Sequence, residues 1–155
     1  MKNKSRLTPL VLIIVLAAAF LLAACEKHRL DQQVKELCAK DGGVKVYEQV
    51  RLPPDKFNQW GQISFYRPTQ GENALGPEYR YVTQDQYYRK GNPSMVRYHH
   101  QVIRRSDGKL LGETISYGRG GGDLPGPWEP SNFHCPPTVE SSEIALFKNI
   151  FIPTK

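Results

Sequence analysis

The feature that most constrains this chain is an uninterrupted apolar run close to its start. Residues 10–22 (LVLIIVLAAAFLL) are thirteen apolar residues in succession; three basic and no acidic residues precede them, and Ala23 and Ala24 follow. The run is shorter than the roughly 20 apolar residues that a helix needs to span a bilayer. A basic start, a short apolar stretch and a small-residue exit predict a secretory signal peptide over residues 1–24, with an uncleaved membrane anchor as the alternative.

The end of the run, Leu22-Ala23-Ala24-Cys25, resembles the lipobox of bacterial lipoproteins. In that family the cysteine sulfur receives a diacylglyceryl group, the signal is cut just before the cysteine, and the new amino group is acylated. The resemblance implies that Cys25 carries about three acyl chains, which is enough for stable membrane attachment. Glu26, rather than Asp, follows Cys25, and this implies the outer membrane of a Gram-negative envelope, with the inner membrane facing the periplasm as the alternative.

The remainder of the chain fits a single exported domain. From Cys25 onward there are 131 residues with 15 aromatic side chains, which suits one ordered core and leaves little room for two. We expect residues 25–29 to form a short lipidated tether and residues 30–155 to form one compact α+β domain. Removing the three basic residues of the signal lowers the net charge from +6 to +3, so the sequence does not indicate nucleic-acid binding.

Two cysteines remain for the domain once Cys25 carries lipid. Two thiols of a chain in an oxidising compartment pair most simply with each other, which predicts a disulfide between Cys38 and Cys135. This bond would close a loop of about 97 residues, worth about 4.5 kcal/mol on the chain-entropy model. Two alternatives stay open: a nucleophilic Cys135 beside His134, and thiols that are free or bonded between molecules.

Hydrophobic periodicity predicts one helix and then strands. Leu30, Val34, Leu37 and Cys38 have helical spacing, and Gly42-Gly43 ends the pattern. Alternation or short apolar runs predict strands over residues 44–52, 63–66, 79–89, 96–105 and 110–117.

Short helical turns and one hairpin complete the predicted fold. Residues 54–61 read as helical turns, Asp107-Gly108 suits a hairpin turn, and residues 140–152 suggest a short helix running into a last strand. We therefore expect an α+β domain: an N-terminal helix followed by a mostly antiparallel sheet of four to six strands with short helical turns.

A glycine-rich stretch, residues 118–123 (GRGGGD), is the most conspicuous motif of the domain. Consecutive glycines allow backbone N–H groups to converge on an anion, and Arg119 would add a bidentate contact. The Gly-Lys-Ser/Thr of a phosphate-binding loop does not follow, so a loop that needs positive φ and close passage beneath Trp128 is the other interpretation. For contact with a partner or ligand we select Arg119, Asp123 and Trp128.

Motifs for catalysis or metal binding are not found in the sequence. His99 and His100 are neighbours on a predicted strand and face opposite sides, and no His-x-x-x-His or Cys-x-x-Cys spacing occurs. Nucleophile elbows, Ser-x-x-Lys and His-Glu-x-x-His are also missing. We predict a protein that is not an enzyme and has no cofactor, metal site or catalytic residue.

Tyrosines are frequent on the predicted strands. Alternation places Tyr79 and Tyr81 on one face and Arg80 on the other. Tyrosine and arginine are favoured at protein interfaces, but tyrosine is also an ordinary residue of half-exposed sheets. Both interpretations stay open, and the first supports a protein-binding role.

Beyond the lipobox, residues 38–48 (CAKDGGVKVYE) and 117–123 (YGRGGGD) resemble segments of small uncharacterised proteobacterial lipoproteins, which implies no activity. The leading hypothesis is a lipid-anchored, non-enzymatic envelope protein that binds another envelope or incoming protein, in a scaffold, immunity or exclusion role. The alternative is a periplasmic small-ligand-binding protein or enzyme that uses the glycine-rich loop 118–123.

Overall fold

A computed structural model describes residues 4–123, 126–127 and 129–154. Within these residues the chain is a mixed α+β fold, as the sequence predicts, with a mainly antiparallel sheet. Its helices and strands are α1 (Lys4–Asp41), β1 (Gly43–Val46), β2 (Val50–Leu52), β3 (Tyr79–Arg89), β4 (Ser94–Arg104), β5 (Leu110–Gly120), β6 (Asn132–Cys135), α2 (Thr138–Ser141), α3 (Glu143–Ile150) and β7 (Phe151–Pro153).

The main sheet has the order β1-β5-β4-β3, and all of its strand pairs are antiparallel. Strand β6 pairs with the end of β5, where Tyr117 lies opposite Cys135 and Gly120 opposite Asn132. A second, two-stranded sheet joins β2 to β7 in parallel. The β4–β5 hairpin has the predicted turn, in which Asp107 accepts hydrogen bonds from Arg104 and from the backbone N–H of Lys109.

Helix α1 covers one face of the main sheet. Its buried side chains repeat at helical spacing, as the sequence predicts, because only these positions point at the strands. They form one core cluster with three strand residues, and the cluster is Leu30, Val34, Cys38, Met95, Ile115 and Tyr117. The predicted disulfide between Cys38 and Cys135 closes this cluster and ties α1 to β6.

The opposite face of the sheet packs against the C-terminal part of the chain. Leu146, Phe147 and Ile150 of α3 are at most 2% exposed and belong to a larger core cluster with residues of β3, β4 and β5. Tyr79 and Tyr81 lie in the same cluster, each 6% exposed. These two tyrosines are therefore core residues, and the interface interpretation does not apply to them.

Three local expectations were wrong. Residues 25–29 are not a separate tether before the helix, because they are part of α1, which continues through them without a break. The strand expected over residues 44–52 is divided into β1 and β2, because the N–H groups of both Tyr47 and Glu48 turn to the carbonyl of Leu111. Residues 63–66 form no strand, and Ile63 makes only an isolated bridge to Phe57.

Candidate functional site

The glycine-rich stretch lies against α1, just after Cys25. Lys27 Nζ is 2.5 Å from Oδ1 of Asp123, and Asp31, one helical turn further along α1, is paired with Arg119. Residues four apart lie on one face of a helix, so the end of β5 and the loop after it can contact both. A third ion pair joins Glu26 to Arg89 at the end of β3. These three pairs form what we call the clasp, and its members are Glu26, Lys27, Asp31, Arg89, Arg119 and Asp123.

Arg119 is buried inside the clasp, at 3% exposure. Its Nε donates to Oδ1 of Asp31 at 2.8 Å, and one terminal NH₂ group donates to the carbonyls of Gly121 at 2.6 Å and Ser131 at 2.9 Å. A guanidinium taken out of water must keep its hydrogen bonds, and these acceptors supply them. This placement favours a structural role for Arg119 and leaves little of its surface to a ligand or partner.

Asp123 is the second predicted residue, and it also binds within the protein. One oxygen accepts from Lys27, and the carboxylate accepts from the backbone N–H of Ser131 at 2.5 Å and from its hydroxyl at 2.9 Å. Hydrogen bonds from Lys27 first, and then from Ser131, lower the pKa of Asp123 to about 2. The carboxylate is therefore charged throughout the neutral range, which keeps its pair with Lys27 formed.

Glycine is needed where the loop approaches its neighbours. Gly122 has a φ of +81°, and its N–H donates to the side-chain oxygen of Asn92 at 2.6 Å. A Cβ at this position would lie only 3.2 Å from Pro93 and 3.4 Å from Lys27. The glycines thus allow the loop to fit between α1 and the β3–β4 turn, which agrees with the predicted need for positive φ.

The structure brings together two of the three predicted contact residues. Arg119 and Asp123 both bind Ser131, whereas Trp128 lies outside the described residues. Sequence reasoning missed Glu26, Lys27 and Arg89, because their partners are 63 and 96 residues away and no local pattern connects them. The one sequence feature that could have indicated these ion pairs is the opposite charges of Lys27 and Asp31, which are four residues apart on α1.

Cys25 is exposed, whereas Cys38 and Cys135 are bonded to each other. The bonded pair removes the alternatives of a nucleophilic Cys135 and of free thiols. Cys25 is thus the cysteine that can accept a modification. It precedes the first residue of the clasp, Glu26, directly.

The histidines make separate contacts. His99 Nε2 lies 2.6 Å from Glu113, which also accepts from the Tyr47 hydroxyl at 2.6 Å. Burial raises the pKa of Glu113, but the hydrogen bonds from Tyr47 and His99 outweigh it and lower the pKa overall. His100 lies on the other face of the sheet, where its Nδ1 is 2.9 Å from the Tyr81 hydroxyl. Burial lowers the pKa of His100. Among the described residues no group of three or more His, Cys, Asp or Glu could hold a metal ion.

A cavity of about 350 Å³ opens on the α3 side of the sheet. Its lining mixes apolar and polar side chains with one charged residue, Lys148; the lining is Asn58, Gln62, Ile63, Ser64, Tyr66, Ile144, Phe147 and Lys148. Between two of these lining residues, Asn58 and Gln62, the chain forms a tight loop on which Trp60 is 68% exposed. The side-chain oxygen of Asn58 accepts from the N–H groups of Trp60 and Gln62, each at 3.0 Å. A large aromatic held in solvent by a fixed loop is typical of a protein contact.

Comparison with family models, with curated proteins and with solved structures finds no match for this chain. No helix within residues 4–123, 126–127 and 129–154 is both long enough and apolar enough to cross a bilayer.

Proposed function

We propose that this protein is a lipoprotein of a Gram-negative envelope, anchored through Cys25, whose domain binds another envelope or incoming protein and is not an enzyme. The signal peptide of residues 1–24 is removed, and the acyl chains on Cys25 hold the domain at the membrane. Glu26 after the lipidated cysteine supports the outer membrane as the destination.

One observation supports the anchor most directly: residues 11–15 of α1 and the part of α1 after Cys25 have different surroundings. Before it, the large apolar side chains of residues 11–15 are 52 to 63% exposed. After it, Leu30 and Val34 are at most 3% exposed, and Glu26 and Lys27 form ion pairs with the domain. Exposed apolar residues in this number are unfavourable in water. A segment that is cut away on export would explain why the domain leaves residues 11–15 uncovered.

The exported location is supported by the disulfide. Such bonds persist in oxidising compartments and are rare in the cytosol. The bond between Cys38 and Cys135 spans 97 residues and joins α1, which follows the anchor directly, to β6. It therefore fastens the anchored helix to the body of the domain.

The binding role is supported by Trp60 and the adjoining cavity. The cavity is lined in part by Tyr66 and Phe147, and Phe147 belongs to α3, on the side of the sheet opposite α1; Trp60 lies in the chain between two other lining residues, Asn58 and Gln62. Tryptophan is one of the residue types that most often contribute binding energy at protein interfaces, where it is seated beside a pocket. The clasp residues Arg119 and Asp123 are engaged within the fold, so the glycine-rich loop lends no support to the ligand-binding alternative.

The anchor is tested with Cys25→Ser. We expect the variant to accumulate as an unprocessed precursor that takes up no labelled fatty acid, since the sulfur that carries the lipid is lost. Cys38→Ser is the matched control, because it removes a cysteine of the domain and leaves the acceptor in place; its mature form should still be lipidated. Normal cleavage of Cys25→Ser with release into the soluble fraction would contradict the proposal.

The binding role is tested by photo-crosslinking in intact cells. A photoreactive phenylalanine at position 60 should give a discrete crosslinked product, identified by mass spectrometry. The same residue at position 33, which is exposed on α1 and far from the cavity along the chain, is the control. Identical products at both positions, or none at position 60, would contradict a partner at the Trp60 loop.

A further inference from the structure

The residues that follow Cys25 are fixed to the domain on two sides. Glu26 pairs with Arg89 at the end of β3, and Lys27 pairs with Asp123 in the loop after β5. Leu30 then enters the core. Consecutive Cα atoms are about 3.8 Å apart, so a lipid on Cys25 has almost no free chain between itself and the folded protein. The lipid therefore determines which surface of the domain meets the bilayer.

That surface can be defined from the structure. Its members are exposed and lie next to the clasp, on α1 and on the β3–β4 turn; we call them the anchor face, and they are Cys25, His28, Arg29, Lys90 and Gly91. The connection between α1 and the turn is direct, because Gly122 beside Lys27 donates to Asn92 of the turn. The anchor face is thus one continuous end of the domain.

The charges of this end favour phosphate groups. The carboxylates of Glu26 and Asp123 are paired with Arg89 and Lys27. Arg29 and Lys90 are exposed, and the ion pairs of the described residues involve neither of them. Exposed cations next to a lipid anchor are attracted to the phosphates of a bilayer surface. Glu129, near Ser131, is the exposed anion of the neighbouring loop and offsets only part of this charge.

We propose that the anchor face lies on the phospholipid headgroups, so that the clasp holds the domain in one orientation on the bilayer. This inference rests on the proposed lipidation of Cys25. Strand β4 leaves the membrane end at Ser94 and reaches Arg104, about 33 Å away at roughly 3.3 Å per residue. The β4–β5 turn, which contains Ser106, therefore points away from the bilayer.

The test measures depth at both ends of the domain in the lipidated protein. With Cys25 acylated and Cys38 bonded to Cys135, a cysteine introduced as Lys90→Cys or Ser106→Cys is the one free thiol and takes a bimane label. Both positions are exposed, so neither change disturbs the core. The proteins are reconstituted into vesicles of phosphatidylethanolamine and phosphatidylglycerol that contain a lipid with a nitroxide on its headgroup.

We expect the nitroxide to quench bimane at position 90 at least threefold more than at position 106. Equal quenching at both positions in a protein that carries lipid and floats with the vesicles would overturn this inference and leave the lipoprotein proposal intact. A protein that carries no lipid and does not float would overturn both.

A second variant tests whether the clasp sets the orientation. Combining Glu26→Gln with Asp123→Asn removes the charge of both carboxylates that hold residues 26 and 27. In this background the ratio of quenching between positions 90 and 106 should fall, because residues 26 and 27 then lose their ion pairs to the domain and only Asp31 of the clasp still holds this end of α1. An unchanged ratio would show that the clasp does not orient the domain, and would overturn the inference.

Discussion

Arg119 Nε lies 2.8 Å from Oδ1 of Asp31, a hydrogen-bonded ion pair that joins residues 88 positions apart. The pair fastens β5 to the same helix that carries Cys25. Because Arg119 is 3% exposed and also donates to the carbonyls of Gly121 and Ser131, its loss removes the donor of several buried or half-buried acceptors at once.

Replacing this arginine should destabilise the domain. We expect Arg119→Met to lower the free energy of unfolding by about 2 to 4 kcal/mol, since acceptors of a buried charged donor are left without partners. The measurement is urea unfolding of the exported, unlipidated domain followed by circular dichroism. Arg51→Met, at an exposed position of β2, is the control and should change stability by less than about 0.5 kcal/mol. Equal losses in the two variants would count against the structural role of Arg119.

The burial of Arg119 also determines which residue should be replaced in a search for a partner. Arg119→Ala would remove a buried residue of the clasp, so a lost interaction would not distinguish a contact from a damaged fold. A substitution at Trp60, which is 68% exposed, avoids this ambiguity.

The disulfide should make a large contribution to stability. Cys38 and Cys135 close a loop of 97 residues, and on the chain-entropy model their bond stabilises the fold by about 4.5 kcal/mol. The double variant Cys38→Ser/Cys135→Ser should lose up to this amount in urea unfolding. Wild-type protein unfolded in the presence of dithiothreitol is the matched control and should lose a similar amount. If reductant leaves the unfolding midpoint unchanged, the bond does not constrain the unfolded chain as expected.

The general architecture could be predicted because it depends on local patterns. The spacing of Leu30, Val34 and Cys38 predicted the buried face of α1, and alternation predicted β3 and the β4–β5 hairpin. Two cysteines left over after Cys25 were enough to predict the disulfide. The residues of each hydrophobic pattern are close together in the chain, and Cys38 and Cys135 are the two cysteines that remain besides Cys25.

The clasp could not be predicted, because it depends on contacts between distant residues. Nothing near Lys27 indicates that Asp123 will lie 2.5 Å away, 96 residues later. The same limitation affected Arg119. An arginine among glycines suits a binding site for an anion, but its partner in the structure is the carboxylate of Asp31. Tyr79 and Tyr81 are a similar case: alternation shows that they share a face, but only the position of α3 shows that this face is buried.

Acid should weaken the clasp through Asp123. Hydrogen bonds from Lys27 and Ser131 depress the pKa of this carboxyl to about 2, from an ordinary value of 3.8. A carboxyl whose folded pKa is depressed stabilises the native state above its unfolded pKa, and the contribution is lost as the pH falls toward the folded pKa. Stability from this group should therefore be full above about pH 4 and disappear toward pH 2.

The carboxyl carbon of Asp123, followed by NMR on the folded domain, should titrate with a midpoint near 2. The Lys27→Gln variant is the control, since it removes the first cause of the shift, and its midpoint should move up toward 3.8. A midpoint near 3.8 in the wild-type protein would show that the pair with Lys27 does not form in solution.

A glycine near the start of β5 should be sensitive to the smallest substitution. A Cβ at Gly112 would lie 2.9 Å from both the side chain of Ile150 and the backbone carbonyl of Lys45. The carbonyl belongs to a paired strand and cannot move without breaking the β1–β5 ladder. We expect Gly112→Ala to lower the free energy of unfolding by about 1 to 3 kcal/mol, the usual cost of overpacking a core.

Gly120→Ala on the same strand is the matched control. There a Cβ would meet only the hydroxyl oxygen of Ser94, at 3.1 Å, and this side chain can rotate away. Alanine also restricts the unfolded chain more than glycine does, which offsets part of any strain. Urea unfolding should therefore separate the two variants, with Gly120→Ala close to the wild-type protein. If both variants are equally stable, α3 does not pack against β5 as closely as Ile150 and Gly112 indicate.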